Sequence, residues 1–246
     1  MASIIGLYAA KFRENLSYHP VWQPGTGLVP GDVGVMKDGV FVREGHVSQL
    51  QGSVVPEPTQ QTLAAPMKFS VGVTAKAAAQ GGAQVDPALK VEASLKFGSN
   101  GGVVFDARDR VQHALANLGL VLAALDWGSP EFDDVVVVSE VHSARVAALA
   151  VAVGSEGEVE LSGSLKALKA LDVGDASVSF GATTGAAYAL QLRASDQPHP
   201  VALRLYGASR SIWGRRSRPE LLGAGDPAAA PLPAQPFVEL SPFAIE

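Results

Sequence analysis

Two stretches of this chain, residues 69–97 and 158–184, each contain two segments in which apolar and polar side chains alternate. Alternation with a period of two is typical of β-strands, because successive side chains point to opposite faces. One face then lies in an apolar medium and the other in water. The apolar medium is either a protein core or lipid, since strands of about 9–11 residues can cross a bilayer. We interpret each stretch as a pair of strands, and name the two pairs the first arm and the second arm.

The apolar side chains of the two arms are the residues that would meet either a core or a bilayer. Half-buried strands of a soluble antiparallel sheet are the simpler interpretation of the alternation, and membrane-spanning strands are the alternative. In that alternative, the membrane-spanning residues are Phe69, Val71, Val73, Val91, Leu95 and Phe97 in the first arm and Val159, Leu161, Val178 and Phe180 in the second.

The composition limits how this chain can enter a membrane. Its longest apolar runs, Leu118–Leu125 and Val146–Val153, fall far short of the roughly 20 residues that a transmembrane helix needs. A membrane-bound form would therefore use strands or a helix that lies on the surface. The 246 residues include no cysteine, which excludes disulfides, thiolate metal sites and a cysteine nucleophile. The formal net charge of −5 argues against a general nucleic-acid binder.

Other segments predict an α+β fold with a twisted, mainly antiparallel central sheet. An N-terminal amphipathic helix is predicted over residues 3–17, where large apolar residues recur at helical spacing. A long packed helix is predicted over 108–125 for the same reason. Asp38-Gly39 between two apolar runs indicates a hairpin, and Val135–Val138 lacks alternation, as expected for a strand buried on both faces.

Basic residues form two candidate surfaces for acidic lipid. Lys11 and Arg13 lie off the apolar stripe of the first helix, and would face lipid head groups if that helix lay on a membrane. The segment 204–218 contains five Arg and no acidic residue, and Arg204 and Arg210 are its candidate lipid contacts. A solvated surface and a nucleic-acid contact are the alternatives for this segment.

The end of the sequence changes composition twice, which predicts a linker and a tail. Residues 223–236 are mostly Ala, Pro and Gly, as in flexible linkers, and residues 51–66 are interpreted as a loop because they are rich in Gln, Pro and Thr. Residues 237–246 are rich in large apolar side chains, which predicts a tail that docks on the main domain, residues 1–222. The candidate anchors of the tail are Phe237, Leu240, Phe243 and Ile245.

The motifs of common active sites are absent from the sequence. It has no Gly-x-Ser-x-Gly, P-loop, dinucleotide-binding or His-Glu-x-x-His motif, and its five histidines show no metal-ligand spacing. We therefore expect no enzyme activity, no catalytic residues, no metal and no cofactor. An enzyme whose catalytic groups meet only in the folded chain is the alternative.

Two segments and the order of the predicted elements resemble the gasdermin family. Phe69-Ser70-Val71-Gly72-Val73 resembles the start of the first pore strand of bacterial gasdermins. Val137-Val138-Ser139-Glu140-Val141-His142-Ser143 is similar to a family strand of the form aliphatic-Val-Thr-Glu-Val-x-x-Ser/Thr. Residues 18–22 and 30–34 also resemble the opening of microbial gasdermin-like cell-death proteins. The resemblance covers residues 3–206.

The resemblance implies a pore-forming cell-death effector, with a role in anti-phage defence. The inhibited form would be a cytoplasmic monomer. The active form would be a large homo-oligomeric ring, a β-barrel pore in the acidic phospholipid of the cell membrane. Each subunit would contribute both arms, with the connectors 77–88 and 167–175 drawn into extended strands.

The resemblance also implies a way of switching the pore on. In bacterial relatives a short C-terminal peptide blocks assembly until a protease removes it, and the tail after residue 236 would take that part here. Some of these relatives carry a lipidated cysteine near the N-terminus, which this chain lacks. The competing interpretation is a soluble binding module for an apolar ligand or a protein partner, with both arms facing its own core.

Overall fold

The structure is a computed structural model that describes residues 3–22, 27–50, 52, 54–77, 90–127, 129, 132, 134–193, 196–210 and 216–222. The described part is α+β with mainly antiparallel strands and few helices, which confirms the predicted fold class. The chain divides into two compact units. Unit 1 comprises residues 1–11, 63–110 and 144–198, and unit 2 comprises residues 12–62, 111–143 and 199–246.

The helices and strands follow one another in an order dominated by strands. They are α1 (Ile4–Leu16), β1 (His19–Pro20), β2 (Asp32–Lys37), β3 (Val40–His46), a 3-10 turn (Val47–Gln49), β4 (Pro58–Leu63), β5 (Met67–Val71), β6 (Val73–Ala77), β7 (Lys90–Phe97), β8 (Gly102–Leu115), α2 (Leu118–Ala123), β9 (Val135–Ala152), β10 (Glu158–Ser164), α3 (Leu165–Lys169), β11 (Ser179–Thr184), β12 (Ala187–Leu192), β13 (His199–Arg210) and β14 (Arg216–Leu222).

Unit 2 is built around the first half of β9. The strand order there is β1-β13-β9-β2-β3, in which β1 pairs antiparallel with β13, and β2 with both β9 and β3. Val136 and Val138 of β9 pack with Leu203 and Leu205 of β13, whereas Val137 belongs to a different apolar cluster. This part of β9 is therefore buried on both faces, as predicted from its lack of alternation.

The hairpin predicted at Asp38-Gly39 is confirmed as the turn between β2 and β3. Lys37 pairs with Val40, so Asp38 and Gly39 are the two central residues of the turn. Their φ angles are 51° and 80°. Positive φ at both central positions is what a type I′ turn requires.

Unit 1 contains the second half of β9, which pairs antiparallel with β12 from Ala152 opposite Ala187 to Ala147 opposite Leu192. In the same unit, β5 pairs antiparallel with β8. A separate four-stranded antiparallel sheet has the order β11-β10-β7-β6. Side chains of this sheet, of β8 and β9, and of α3 form the core of the unit.

The long helix predicted over 108–125 is wrong for most of its length. Residues up to Leu115 belong to the 14-residue strand β8, and only the short α2 is helical. Val111 and Leu115 are buried as expected. Residues four apart share a face in a strand as well as in a helix, however, so their spacing does not separate the two. The predicted loop 51–66 is also wrong in part, because it contains β4, which pairs with β8.

Helix α1 confirms the predicted N-terminal helix, over Ile4–Leu16. Its side chains Tyr8, Ala9 and Phe12 are buried, and burial raises the pKa of the Tyr8 phenol. Within the described ranges, no helix combines the length and apolar character needed to span a membrane.

Candidate functional site

The two predicted arms meet in the four-stranded sheet of unit 1. β6 and β7 come from the first arm, and β10 and β11 come from the second. Antiparallel pairing of β7 with β10 joins them, and it runs unbroken from Lys96 opposite Glu158 to Lys90 opposite Ser164. Two segments that are distant in the sequence therefore form one continuous sheet.

One face of this sheet is buried in the core of unit 1. Leu95 and Val159 are paired across the junction of the arms, and both side chains are fully buried. Leu168 of α3 packs in the same cluster. The predicted arm residues in this core are Val73, Val91, Leu95, Phe97, Val159, Leu161, Val178 and Phe180, with Val73 and Phe180 only partly buried. In this structure the apolar faces of the arms contact protein.

The first arm begins later in the chain than the alternation predicts. Phe69 and Val71 belong to β5, which pairs with β8, and the rings of Phe69 and Phe105 have centroids 6.0 Å apart. Gly72 separates β5 from β6 with a φ of 66°, and a Cβ atom there would lie 2.5 Å from the carbonyl oxygen of Gly101. The prediction of one continuous strand through Phe69 and Val71 is therefore wrong, because the chain changes partner at a left-handed glycine. That these two residues span a membrane stays a prediction.

A β-bulge ends the alternation of the second arm early. Val159 pairs with Thr183 but Leu161 pairs with Phe180, so β11 has one residue more than β10 between these two pairs. Ala182, which alternation places on the same face as Phe180, is exposed. β11 lies at the edge of the sheet, where bulges commonly redirect side chains.

The other face of the sheet carries charged and hydroxyl side chains. Lys96 of the first arm pairs with Glu158 of the second, and this hydrogen bond lowers the pKa of the Glu158 carboxyl. The hydroxyls of Ser162 and Ser179 are hydrogen-bonded at 2.8 Å. An open cavity of about 570 Å³ opens on this side of the sheet. Its polar lining residues are Lys76, Glu92, Ser94, Glu158, Glu160 and Ser162, and Ala93, Leu161, Phe180 and Gly181 complete the lining. The sheet is thus amphipathic, with one apolar face and one charged face.

The structure describes the second connector, but only one residue of the first. Residues 78–88 of the first connector lie outside the described residues. The second connector, residues 167–175, begins within α3, which spans Leu165–Lys169. Ser164 caps this helix by accepting a hydrogen bond from the N–H of Ala167 at 3.3 Å. Turns follow the helix, in which the N–H of Val178 donates to the carbonyl of Asp175 at 2.9 Å.

Charged side chains of β5 and β8 contact the second connector. Arg108 donates two hydrogen bonds, of 3.1 and 2.9 Å, to the buried carboxylate of Asp106. Arg108 also pairs with Asp172 of the connector, and Lys68 lies 3.9 Å from the same carboxylate. The N–H of Gly174 donates to Asp106 at 3.2 Å. Asp106 and Arg108 share a face because β8 runs through both residues. The sequence did not predict this cluster, because the predicted helix began at Arg108 and so separated it from Asp106.

Four basic residues were expected to contact acidic lipid. Lys11 and Arg13 lie on α1 and are partly buried. Arg204 lies on β13, and its Nε is 3.6 Å from the carboxylate of Glu140. Arg210 is the last residue of β13, and its side chain is outside the described part of the chain. The lipid contacts of all four residues stay predictions.

Arg204 belongs to a polar cluster in unit 2. Its guanidinium donates to the hydroxyl of Tyr18 at 3.1 Å and lies 5.1 Å from the centre of the Tyr18 ring. Glu140 accepts a hydrogen bond from the buried His142. Burial alone would raise the pKa of Glu140, but the hydrogen bond from His142 and the charge of Arg204 outweigh it and hold the pKa below its ordinary value. The sequence signal for this cluster is the two-residue spacing of Glu140 and His142 in a strand.

The predicted linker 223–236 and tail 237–246 lie outside the described residues, as do the four expected anchors. Docking of Phe237, Leu240, Phe243 and Ile245 therefore stays a prediction. The last described residue before them is Leu222, at the end of β14.

Comparison with known proteins gives a structural similarity. No protein-family profile matches the chain, and no curated protein matches its sequence. Among solved structures, the chain is similar to a bacterial gasdermin from Bradyrhizobium tropiciagri, with a TM-score of 0.38 and 18% sequence identity. The match covers 88% of this chain and 91% of that chain. That protein belongs to the family that the sequence resembles.

Proposed function

We propose that this chain is a pore-forming cell-death effector of the gasdermin type. The observation that carries the proposal is the joining of two amphipathic arms into one sheet through β7 and β10. Each arm has one apolar and one charged face, as a strand between lipid and water needs. On activation, many copies would assemble on acidic phospholipid and extend their arms into a β-barrel pore in the cell membrane. Such a pore would kill an infected cell as a defence against phage.

If the arms moved from the core of unit 1 into lipid, their apolar side chains would keep most of the hydrophobic stabilisation that they have in the core. Leu95 and Val159 would exchange one apolar environment for another, so little hydrophobic stabilisation is lost. The edge strands β6 and β11 would pair with neighbouring subunits, because a closed ring leaves no backbone group unpaired in lipid. The charged face would stay in water.

The proposed off switch is the tail, residues 237–246. Burial of one large apolar side chain stabilises by about 1.5–3 kcal/mol, so a few anchors such as Phe243 would hold an inactive cytoplasmic monomer. A protease that cuts between residues 223 and 236 would remove all of them at once. The activating partner in this scheme is that protease.

Leakage of dye from liposomes before and after cleavage tests the proposal. A protease recognition site placed between residues 223 and 236 of the full chain lets one sample be measured intact and then cut. We expect rapid release from liposomes that contain anionic lipid after the cut, and little release before it or from neutral liposomes. No release at micromolar protein, with complete cleavage verified by electrophoresis, would refute pore formation.

A soluble binding module for an apolar ligand or a protein partner is the second candidate. It is favoured by the burial of both apolar arm faces in the core of unit 1, since this is also the ordinary state of a sheet with one solvated face. In this case the cut protein would stay monomeric on gel filtration and release no dye.

A further inference from the structure

The second connector, residues 167–175, lies in the segment 165–178 between β10 and β11 and reaches a set of charged side chains on β5 and β8. Asp172 of the connector pairs with Arg108, and Lys68 lies 3.9 Å from the same carboxylate. Asp106 is opposite Lys68 in the β5–β8 pair, and its carboxylate accepts hydrogen bonds from Arg108 and from the N–H of Gly174. One guanidinium therefore bridges a carboxylate of β8 and a carboxylate of the connector.

We propose that Asp106, Arg108 and Asp172 form an ionic latch that holds the second arm in its folded position. The proposal rests on the proposed function, in which this arm must leave the core of unit 1 to enter a membrane. The latch acts on the segment that has to change conformation, because Asp172 lies in the second connector, two residues after Ala170, the C-cap of α3. Charge-assisted hydrogen bonds of a shared guanidinium are stronger than neutral ones and fix the geometry of both partners.

The latch consists of two contacts, Asp106 with Arg108 and Arg108 with Asp172. The two carboxylates differ in burial, and this difference determines which contact breaks first. The Asp106 side chain is 2% exposed, so loss of its cation would leave a buried charge unpaired, which is strongly destabilising. The Asp172 side chain is 27% exposed, and partly exposed ion pairs contribute little. The contact between Arg108 and Asp172 is therefore the half that opens, while Asp106 and Arg108 stay paired.

Gly174 sets how closely the connector approaches the latch. A Cβ atom at this position would lie 2.5 Å from Cγ of Asp106 and 2.7 Å from Nε of Arg108. A larger residue at 174 would therefore displace the side chain of Asp106 or Arg108, whereas glycine lets the backbone N–H lie 3.2 Å from the buried carboxylate.

Hydrogen exchange in the full-length protein tests the latch without a membrane. Asp172→Asn keeps the shape of the side chain and removes its charge, and it leaves Asp106 and Arg108 paired. The amides of Leu171 and Val178, which donate to connector carbonyls, should exchange roughly two- to fivefold faster than in the wild type, the size expected for a partly exposed ion pair. Unchanged exchange would overturn the latch.

The matched control is Lys169→Gln, which removes a charge from the same connector at an exposed position outside the latch. It should leave the exchange of Leu171 and Val178 unchanged. Equal acceleration by Lys169→Gln and Asp172→Asn would mean that any charge change loosens the connector, and would contradict a specific latch.

Arg108→Lys gives a second, independent test. Lysine keeps a positive charge beside Asp106 but cannot present the planar fork that bridges two carboxylates. It should accelerate exchange by about the same factor as Asp172→Asn, and the double variant should be no faster than either single one. Additive acceleration would show that Arg108 and Asp172 act separately, and would overturn the shared latch.

Dye release tests whether the latch slows the movement of the second arm into the membrane. In the cleavable chain, Asp172→Asn should shorten the half-time of release after the cut roughly two- to fivefold, and Lys169→Gln should not. If the cut wild type leaks and Asp172→Asn leaks no faster, the latch does not restrain the arm and the proposal fails. If no variant leaks, the proposed function fails, while the exchange rates still decide whether the latch holds the connector.

Discussion

At the scale of single residues, two carboxylates with little exposure in the described structure are matched by donors, mostly on their own strand. Asp106 is bound by Arg108, and Glu140 by His142 with Arg204 close by. Burial of a charge is unfavourable unless it is paired and hydrogen-bonded, so these contacts offset the desolvation of the two carboxylates. Among them, only the approach of Arg204 on β13 to Glu140 on β9 joins neighbouring strands. Their contribution to stability depends on the charge state of the carboxylate, and therefore on pH.

Replacement of Glu140 by Gln tests this in unit 2. Because the pKa of Glu140 is lowered in the folded chain, its stabilisation is complete above the unfolded-state pKa of about 4.3 and is lost as the pH falls through the folded-state pKa. We expect Glu140→Gln to lower the free energy of unfolding by about 1–3 kcal/mol at neutral pH, and the deficit to shrink below about pH 4. Urea denaturation at both pH values measures it. A deficit independent of pH would contradict the charged pairing.

Phe180 and Ser179 are adjacent residues of β11 that offer a matched pair for charge substitution. Phe180 packs against the core, whereas Ser179 is hydrogen-bonded to Ser162 on the polar face. A charge at the bilayer midplane costs about 2–4 kcal/mol for a basic residue and somewhat less for Asp, in every subunit of a ring. Phe180→Asp should therefore abolish dye release, and Ser179→Asp should retain it, with folding of both checked by gel filtration. Full release by folded Phe180→Asp would exclude this arm from the pore.

At the scale of elements, the sequence predicted strands better than it predicted their partners. Alternation located β7 and β10, and the Asp38-Gly39 turn located the β2–β3 hairpin, because these signals are local. The pairing of β7 with β10 is long-range, and nothing in either pattern selects the other strand. The helix predicted over β8 failed because the spacing of Val111 and Leu115 fits both periods. The division of the first arm at Gly72 depends on backbone geometry that composition does not reveal.

Gly72 gives a direct test of this division. Its φ is 66°, and a Cβ atom would meet a carbonyl oxygen at 2.5 Å, so Gly72→Ala should lower the free energy of unfolding by about 1–2 kcal/mol or more. Gly154 is the matched control, since a Cβ atom there would have no neighbour within 4 Å. Denaturant unfolding of the two alanine variants makes the comparison. Equal stability would mean that the strand passes through Gly72 without a break.

At the scale of the whole molecule, the same apolar residues have two proposed environments, the core of unit 1 and the membrane. A chain with two such states needs a contact that stabilises the inactive state and is lost irreversibly on activation. We propose that this contact is the docking of the apolar tail on the main domain. The small and polar residues interleaved in both arms, chiefly Ala, Ser, Gly and Thr, commit them weakly to either state. The tail would then decide between the two.

Substitution in the tail should reproduce the effect of cleavage. Phe237→Ser combined with Phe243→Ser removes two apolar anchors, each of which stabilises by about 1.5–3 kcal/mol when buried, so the uncut double variant should release dye. Ser241→Ala is the control within the tail and should stay inactive without the cut. If the double variant is silent while the cut chain leaks, the tail inhibits by something other than apolar docking.

The most direct test of the proposed pore is to measure whether two neighbouring residues of one arm contact lipid or water. The chain has no cysteine, so a single dye can be attached at Ala93→Cys, in the core, or at Ser94→Cys, the next residue of β7, which strand alternation places on the opposite face. After activation on liposomes, the dye at 93 should be quenched by a nitroxide lipid and the dye at 94 by aqueous iodide, whereas neither should be quenched by the lipid beforehand. A dye at 93 that stays shielded from lipid while the liposomes leak would contradict insertion of the arms.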